Sequence, residues 1–219
     1  MRIAIMMRAM DKDAGFRALT QGLVSSMLKL APDVSFLLIH QTSKWIGQFD
    51  AYPNAKAVLA PMPTYLLWDQ IAVPWMAWRW RADVIFNPKF FVPFLSPCPV
   101  TMGLQEPSWF TRSHEYGRWT RCYQKLMIPL SIRRSAHVFP NSRFILEENR
   151  LVLGLPIEHA TIQYSAADER FSPVTDRETL ARFREQYRLP EKFILVVSRA
   201  VHPGTGKSFA GKSPEEQKK

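Results

Sequence analysis

Cysteine is nearly absent from this sequence of 219 residues. Cys98 and Cys122 are the only two, too few for a disulfide framework and without metal-ligand spacing, so no metal site is expected. Such a chain is expected in a reducing, cytoplasmic compartment. Long apolar runs are missing as well. No segment reaches the roughly 18 uninterrupted apolar residues of a membrane span. The short run at residues 3–7 is broken by Arg8 and followed by Asp11 and Asp13, which excludes a signal sequence there. Internal repeats and low-complexity tracts are also lacking. Acidic residues are outnumbered: 19 Asp and Glu face 29 Lys and Arg, for a net charge of +10. That balance favours anionic partners such as nucleotides or phospholipid surfaces. No motif of a nucleic-acid-binding module accompanies the charge, so no nucleic-acid partner is expected. What is present is material for a core. Hydrophobic residues make up 47% of the chain, with 14 Phe and 7 Trp, which excludes global disorder.

The pattern along the chain is one of alternating strands and helices. Ile3, Ala4, Ile5, Met6 and Met7 read as a buried strand, followed by a polar loop and Gly15, where a helix begins. Phe16, Leu19, Leu23, Met27 and Leu30 recur at three- and four-residue steps, the spacing of an amphipathic helix. Residues 34–40 form a nearly continuous apolar strand, as expected where both faces of a sheet are covered. Short strands are predicted at 57–60, 83–86, 100–102 and 137–139, with an edge strand at 161–164. Helices are predicted at 65–80, kinked by Pro74, and at 115–134, interrupted by Pro129. Asn141 and Ser142 cap a further helix. Together these predict an α/β fold, a Rossmann-like doubly wound, mostly parallel sheet over residues 1–172.

Past Phe171-Ser172-Pro173 the texture changes to a charged helix at 176–188 and the apolar run Phe193-Ile194-Leu195-Val196-Val197. Few residues follow, and they end in a solvated tail. A full domain plus an incomplete second α/β unit (173–203) and a disordered tail (204–219) is the expectation.

In an open sheet of this kind, ligands collect beyond the carboxyl ends of the strands. Gly15 lets a ligand approach the backbone, and the helix after it offers unpaired N–H groups to an anion. The plainer reading is a strand-to-helix turn containing a glycine. The tail holds a decoy, Gly204-Thr205-Gly206-Lys207-Ser208, which looks like the end of a phosphate-binding P-loop. The full motif requires a glycine where Val201 stands, so a nucleotide triphosphatase is not expected.

An ordered series of motifs resembles glycosyltransferase family 4, enzymes of the GT-B type with two facing Rossmann-like domains. Ala14-Gly15-Phe16-Arg17 resembles that family's glycine loop, with Ala14 in place of the usual first glycine. Leu67-Trp68-Asp69-Gln70 is similar to its Leu-Trp-Glu-Gln motif, and Asp83-Val84-Ile85-Phe86-Asn87-Pro88 to the strand that follows. Val100-Thr101-Met102-Gly103-Leu104-Gln105 occupies the place of a Val-Thr-x-His strand end, without the histidine. Val138-Phe139-Pro140-Asn141-Ser142 resembles a strand ending in serine, and residues 162–173 resemble the interdomain linker, with Ser165 for its Asn. Tyr187-Arg188-Leu189-Pro190 and residues 193–199 resemble the start of the donor domain, of which this chain would hold only the first elements.

The resemblance implies a fold that is the N-terminal, acceptor-side half of GT-B. It also implies transfer of a sugar, with retention, from a nucleotide-diphosphate sugar to a glycan or lipid-linked acceptor. No cofactor is implied beyond that donor substrate. Charge growing on the leaving diphosphate must be stabilised. By resemblance Gly15, Arg199 and Lys207 meet the donor phosphates, with a surface arginine and a tail lysine as the plainer alternative. Arg17, Gln105, Glu106 and Trp109 fall to the acceptor or sugar side, against a turn cap for Gln105 and Glu106 and packing for Trp109. Trp68 and Gln70 are read as structural, and His114 and His137 as ordinary polar residues. Residues 75–81, Trp-Met-Ala-Trp-Arg-Trp-Arg, allow peripheral contact with anionic lipid, although a core-facing helix end is the favoured reading. An exposed interdomain face would allow self-association. With the donor half incomplete, this chain is expected to be inactive in transfer. The alternative is a non-catalytic stub that binds an acceptor or partner.

Overall fold

In a computed structural model of the chain, the apolar runs become one six-stranded sheet. The structure describes residues 1–11, 14–105, 107, 110, 117–154, 157–167 and 171–194. The chain divides into two compact units, Met1–Asp168 and Glu169–Lys219.

The first unit holds strands β1 (Arg2–Met6), β2 (Ser35–His40), β3 (Ala55–Leu59), β4 (Val84–Asn87), β5 (Val100–Leu104) and β6 (His137–Pro140). Their order is β3-β2-β1-β4-β5-β6, and every pairing is parallel. The α/β, Rossmann-like fold class expected from the sequence is therefore what forms. Alternate residues of each strand enter different cores, following the two-residue period of a pleated sheet. Ile5, Phe36, Leu38 and Phe86 pack on one face with Val24 and Leu28 of helix α1 (Ala14–Leu30). Ala4, Met6, Leu37, Ile39 and Ile85 pack on the other, beneath two further helical elements.

The first of these elements runs from α2 (Tyr65–Leu67) through a π turn (Trp68–Ala72) into α3 (Val73–Trp80). The Val73 N–H reaches back to the Trp68 carbonyl, one residue further than in an α-helix. A proline ring clashes with the carbonyl four residues before it, here that of Gln70, and the wider turn opens this point. Pro74 is thus accommodated by the π turn just before it. The second element is α4 (Arg118–Arg134), which runs unbroken through Pro129, contrary to the interruption expected there. The carbonyl that loses its partner belongs to Lys125, on an exposed turn where water can reach it.

Ser142 caps α5 (Arg143–Leu153) as expected, its hydroxyl accepting from the Ile145 N–H at 3.1 Å. The edge strand expected at 161–164 does not form. That segment follows β6 through one parallel bridge, Val138 to Ala160, and through the Thr161 and Gln163 N–H groups donating to Val138 and Pro140. In the second unit, α6 (Arg177–Gln186) starts at Asp176, whose carboxylate accepts from the Glu178 and Thr179 N–H groups. Phe193 and Ile194 have no regular structure, while residues 195–219, including the remainder of the expected strand, lie outside the described residues.

Candidate functional site

The chain leaves β1 toward β2 and β3 on one side, then returns to place β4 on the other side of β1. In sheets of this kind the ligand crevice lies at such a reversal, here beyond the carboxyl ends of β1 and β4. Basic residues stand around it. After β1 comes a 3-10 turn, Met7–Asp11, which carries Arg8. After β4 comes Lys89, whose ammonium lies 3.9 Å from the ring centre of Phe16 in the first turn of α1. Beside Phe16, Gly15 is exposed, and a Cβ built on it would meet nothing within 4 Å. The start of α1 is therefore open to close approach, with a cation alongside.

Arg8 is almost wholly buried. Its Nη1 donates to Oδ2 of Asp69 at 2.7 Å, and its guanidinium lies 4.9 Å from the Tyr65 ring centre and 5.6 Å from that of Phe91. Asp69 sits on the π turn and is completely buried. Burial pushes its carboxyl up from 3.8 to about 6, against the opposing charge and hydrogen bond of Arg8. Asp69 Oδ1, Trp68 Nε1 and the Tyr123 hydroxyl are buried with no hydrogen-bond partner among the described residues. Tyr123 feels the same charges: burial raises its pKa, Asp69 adds to the rise, and Arg8 opposes it. One strand over, His40 ends β2 with its Nε2 buried and unpartnered among the described residues. Burial lowers its pKa to about 4, with Asp11 pulling the other way.

The residues singled out in the sequence do not form one cluster. Gly15 is at the crevice. Arg17 stacks over Trp45 at 4.7 Å, in the loop that follows β2. Gln105 is buried just past β5, its backbone carbonyl accepting from Asn149 Nδ2 at 3.0 Å. Glu106, Trp109, Arg199, Lys207 and His114 lie outside the described residues. Gln70 is structural: its amide donates to the Val92 carbonyl and accepts from the Phe94 N–H. His137 makes an ordinary polar contact with Thr161. Sequence reasoning missed Arg8, Asp69 and Lys89. Asp69 lies inside the Leu-Trp-Asp-Gln stretch, and a charge between two residues destined for burial was the available signal.

No family model matches the chain, and no curated protein does either. Among solved structures, the chain is similar to a glycosyltransferase from Rickettsia africae ESF-5. The two are 11% identical, with 86% of this chain and 50% of that one covered, at a TM-score of 0.57. It is also similar to Anabaena Alr3699/HepE in complex with UDP-glucose, at 14% identity, the same coverages and a TM-score of 0.53. The same Anabaena protein in complex with UDP and glucose gives 15% identity, the same coverages and a TM-score of 0.50. What is shared is the fold. The chain spans about half the length of each of these proteins.

Proposed function

We propose that this chain is the acceptor-side half of a glycosyltransferase of the GT-B type, acting with retention on a nucleotide-diphosphate sugar and a glycan or lipid-linked acceptor. The observation that carries the reading is the β1/β4 crevice. It combines Lys89 and the open first turn of α1 on a fold shared with a protein solved with UDP-glucose. Backbone N–H groups at the helix start and a neighbouring cation suit a diphosphate. Gly15, Arg199 and Lys207 are assigned to the donor phosphates. Gln105, Glu106, Trp109 and Arg17 are assigned to the acceptor side. Cys98 and Cys122 are both free thiols, in keeping with a cytoplasmic enzyme of polysaccharide biosynthesis.

The chain covers half of the structures it resembles, which favours a second reading beside the first: a non-catalytic stub that binds an acceptor or partner. Calorimetric titration with UDP-glucose, run beside an assay for glucose release and transfer, tests both. Binding without turnover supports the nucleotide-sugar reading for a chain inactive by itself. Turnover by the purified chain refutes its inactivity, and no binding at all removes the nucleotide-sugar assignment.

A further inference from the structure

The helical layer formed by α2, the π turn, α3 and α4 is apolar on its outer surface as well as on its inner one. Leu67, Ile71, Trp75 and Trp78 recur at helical spacing along one side, and all four are exposed. Trp75 and Trp78 are 55% and 60% exposed, with ring centres 5.2 Å apart, stacked on each other in solvent. On α4, Trp119, Leu126 and Leu130 form a second exposed stripe, with Trp119 at 90%. The loop between β4 and β5 joins the two stripes. It is held to the first element by Gln70 and to α4 by Ser131 and Arg134, and it presents exposed Leu95 between them.

The charge on this layer has one sign. Helix α4 carries Arg118, Arg121, Lys125, Arg133 and Arg134 and no acid. Residues 65–81 carry Arg79 and Arg81, and their one acid, Asp69, is buried against Arg8. Arg79 also lines two open cavities on α3. One is bounded by Lys56, Met76 and Trp80, and the other by Trp78, Arg81 and Pro97. Exposed aromatic stripes of this extent mark an interaction surface. A second copy of the chain docked through this face would oppose cations to cations, because a two-fold interface pairs a patch with itself. An anionic bilayer answers both features: tryptophans sit at the headgroup boundary, and lysines and arginines meet lipid phosphates.

We infer that this face docks the protein flat on a membrane surface rich in anionic lipid. The inference goes beyond the proposed transfer reaction and stands whether or not the crevice binds a nucleotide-sugar.

The test is sedimentation of the purified chain with vesicles of phosphatidylcholine mixed with phosphatidylglycerol, beside vesicles of phosphatidylcholine alone. Binding is expected to the anionic vesicles only, with a blue shift of tryptophan fluorescence and release by salt. Arg79→Gln, Arg81→Gln and Lys125→Gln should each weaken it by about fivefold. Trp75→Ser with Trp78→Ser should weaken binding and reduce the fluorescence shift to what Trp119 contributes, and circular dichroism should show that the fold is kept. If the tryptophan variant does not fold, the three glutamine variants decide. No binding to anionic vesicles, equal binding to neutral ones, or binding that all these variants retain would overturn the inference. So would a concentration-dependent dimer that the tryptophan variant dissolves and vesicles do not compete with.

Discussion

Arg8 and Asp69, 61 residues apart in sequence, meet at 2.7 Å beneath the carboxyl end of β1. The contact links the turn after β1 to the π turn that precedes α3. Both groups are desolvated, and the second carboxylate oxygen of Asp69 has no partner among the described residues. Such a pair is costly to break from one side only.

Replacing Asp69 by Leu is therefore expected to destabilise the protein by about 3 kcal/mol, because it leaves the buried Arg8 guanidinium with no acceptor, which protonation of the carboxyl does not do. Arg8→Met alone should do the same by stranding the carboxylate. The double variant Arg8→Met with Asp69→Leu should recover most of the loss, since two apolar side chains leave no charge uncompensated. Urea unfolding of the four proteins closes the cycle. A double variant no more stable than either single one would show that the pair matters for its shape and not for its charge.

Stability against pH gives a second test, because two buried groups act in opposite directions. His40 is lowered from 6.5 to about 4, so the native state resists its protonation, and stability from this group is lost as pH falls through that range. Asp69 is raised from 3.8 to about 6, so the native state holds its proton more tightly than the unfolded chain. From this group stability is gained as pH falls from about 6 toward 3.8. The two effects offset each other in the parent protein. In His40→Gln only the Asp69 effect remains, so the urea midpoint should rise on acidification across that range. A variant profile that parallels the parent would refute the assignment for His40.

The strands were readable because each is a short, nearly unbroken apolar run, and α1 because one face repeats at helical spacing. The edge strand β3 begins two residues earlier than expected, since Ala55 and Lys56 carry no apolar signal of their own. Residues 65–80 were read as a helix, but with the tryptophans of its 75–81 end facing the core. Apolar residues occur all the way round that segment, and the π turn shifts the phase, so Trp68, Ala72 and Ala77 go in while Trp75 and Trp78 stay out. The Arg8–Asp69 pair was hidden for another reason. Local periodicity reports which side of an element is buried, not which distant charge it will meet.

Gly103 supplies a third prediction. A Cβ at this position of β5 would lie 2.5 Å from the Pro88 carbonyl oxygen, and the adjacent strands are locked by the pairing of Asn87 with Met102. The atom in the way is backbone, so it cannot rotate aside. Gly103→Ala should cost about 1–3 kcal/mol, the range for forcing extra volume into a packed interior. It should also displace the loop that carries Lys89 and Phe90. Thermal unfolding and the near-ultraviolet circular dichroism of the aromatic residues would report both effects, and an unperturbed variant would contradict the close approach.

Gly15 separates a functional glycine from a merely tolerated one. No atom lies within 4 Å of the Cβ position, and its φ is not among the positive values, so the fold itself does not demand glycine here. Gly15→Val should leave the urea midpoint close to that of the parent. If the diphosphate of a nucleotide-sugar settles on the N–H groups of this turn, the added side chain would occupy that approach. The affinity for UDP-glucose should then fall by tenfold or more, roughly the loss of one charge-assisted hydrogen bond. Lys89→Ala should weaken binding in the same titration, because it removes the cation beside Phe16. Unchanged affinity in both variants, with stability also unchanged, would detach the β1/β4 crevice from nucleotide-sugar binding and leave Gly15 as an ordinary residue of a helix start.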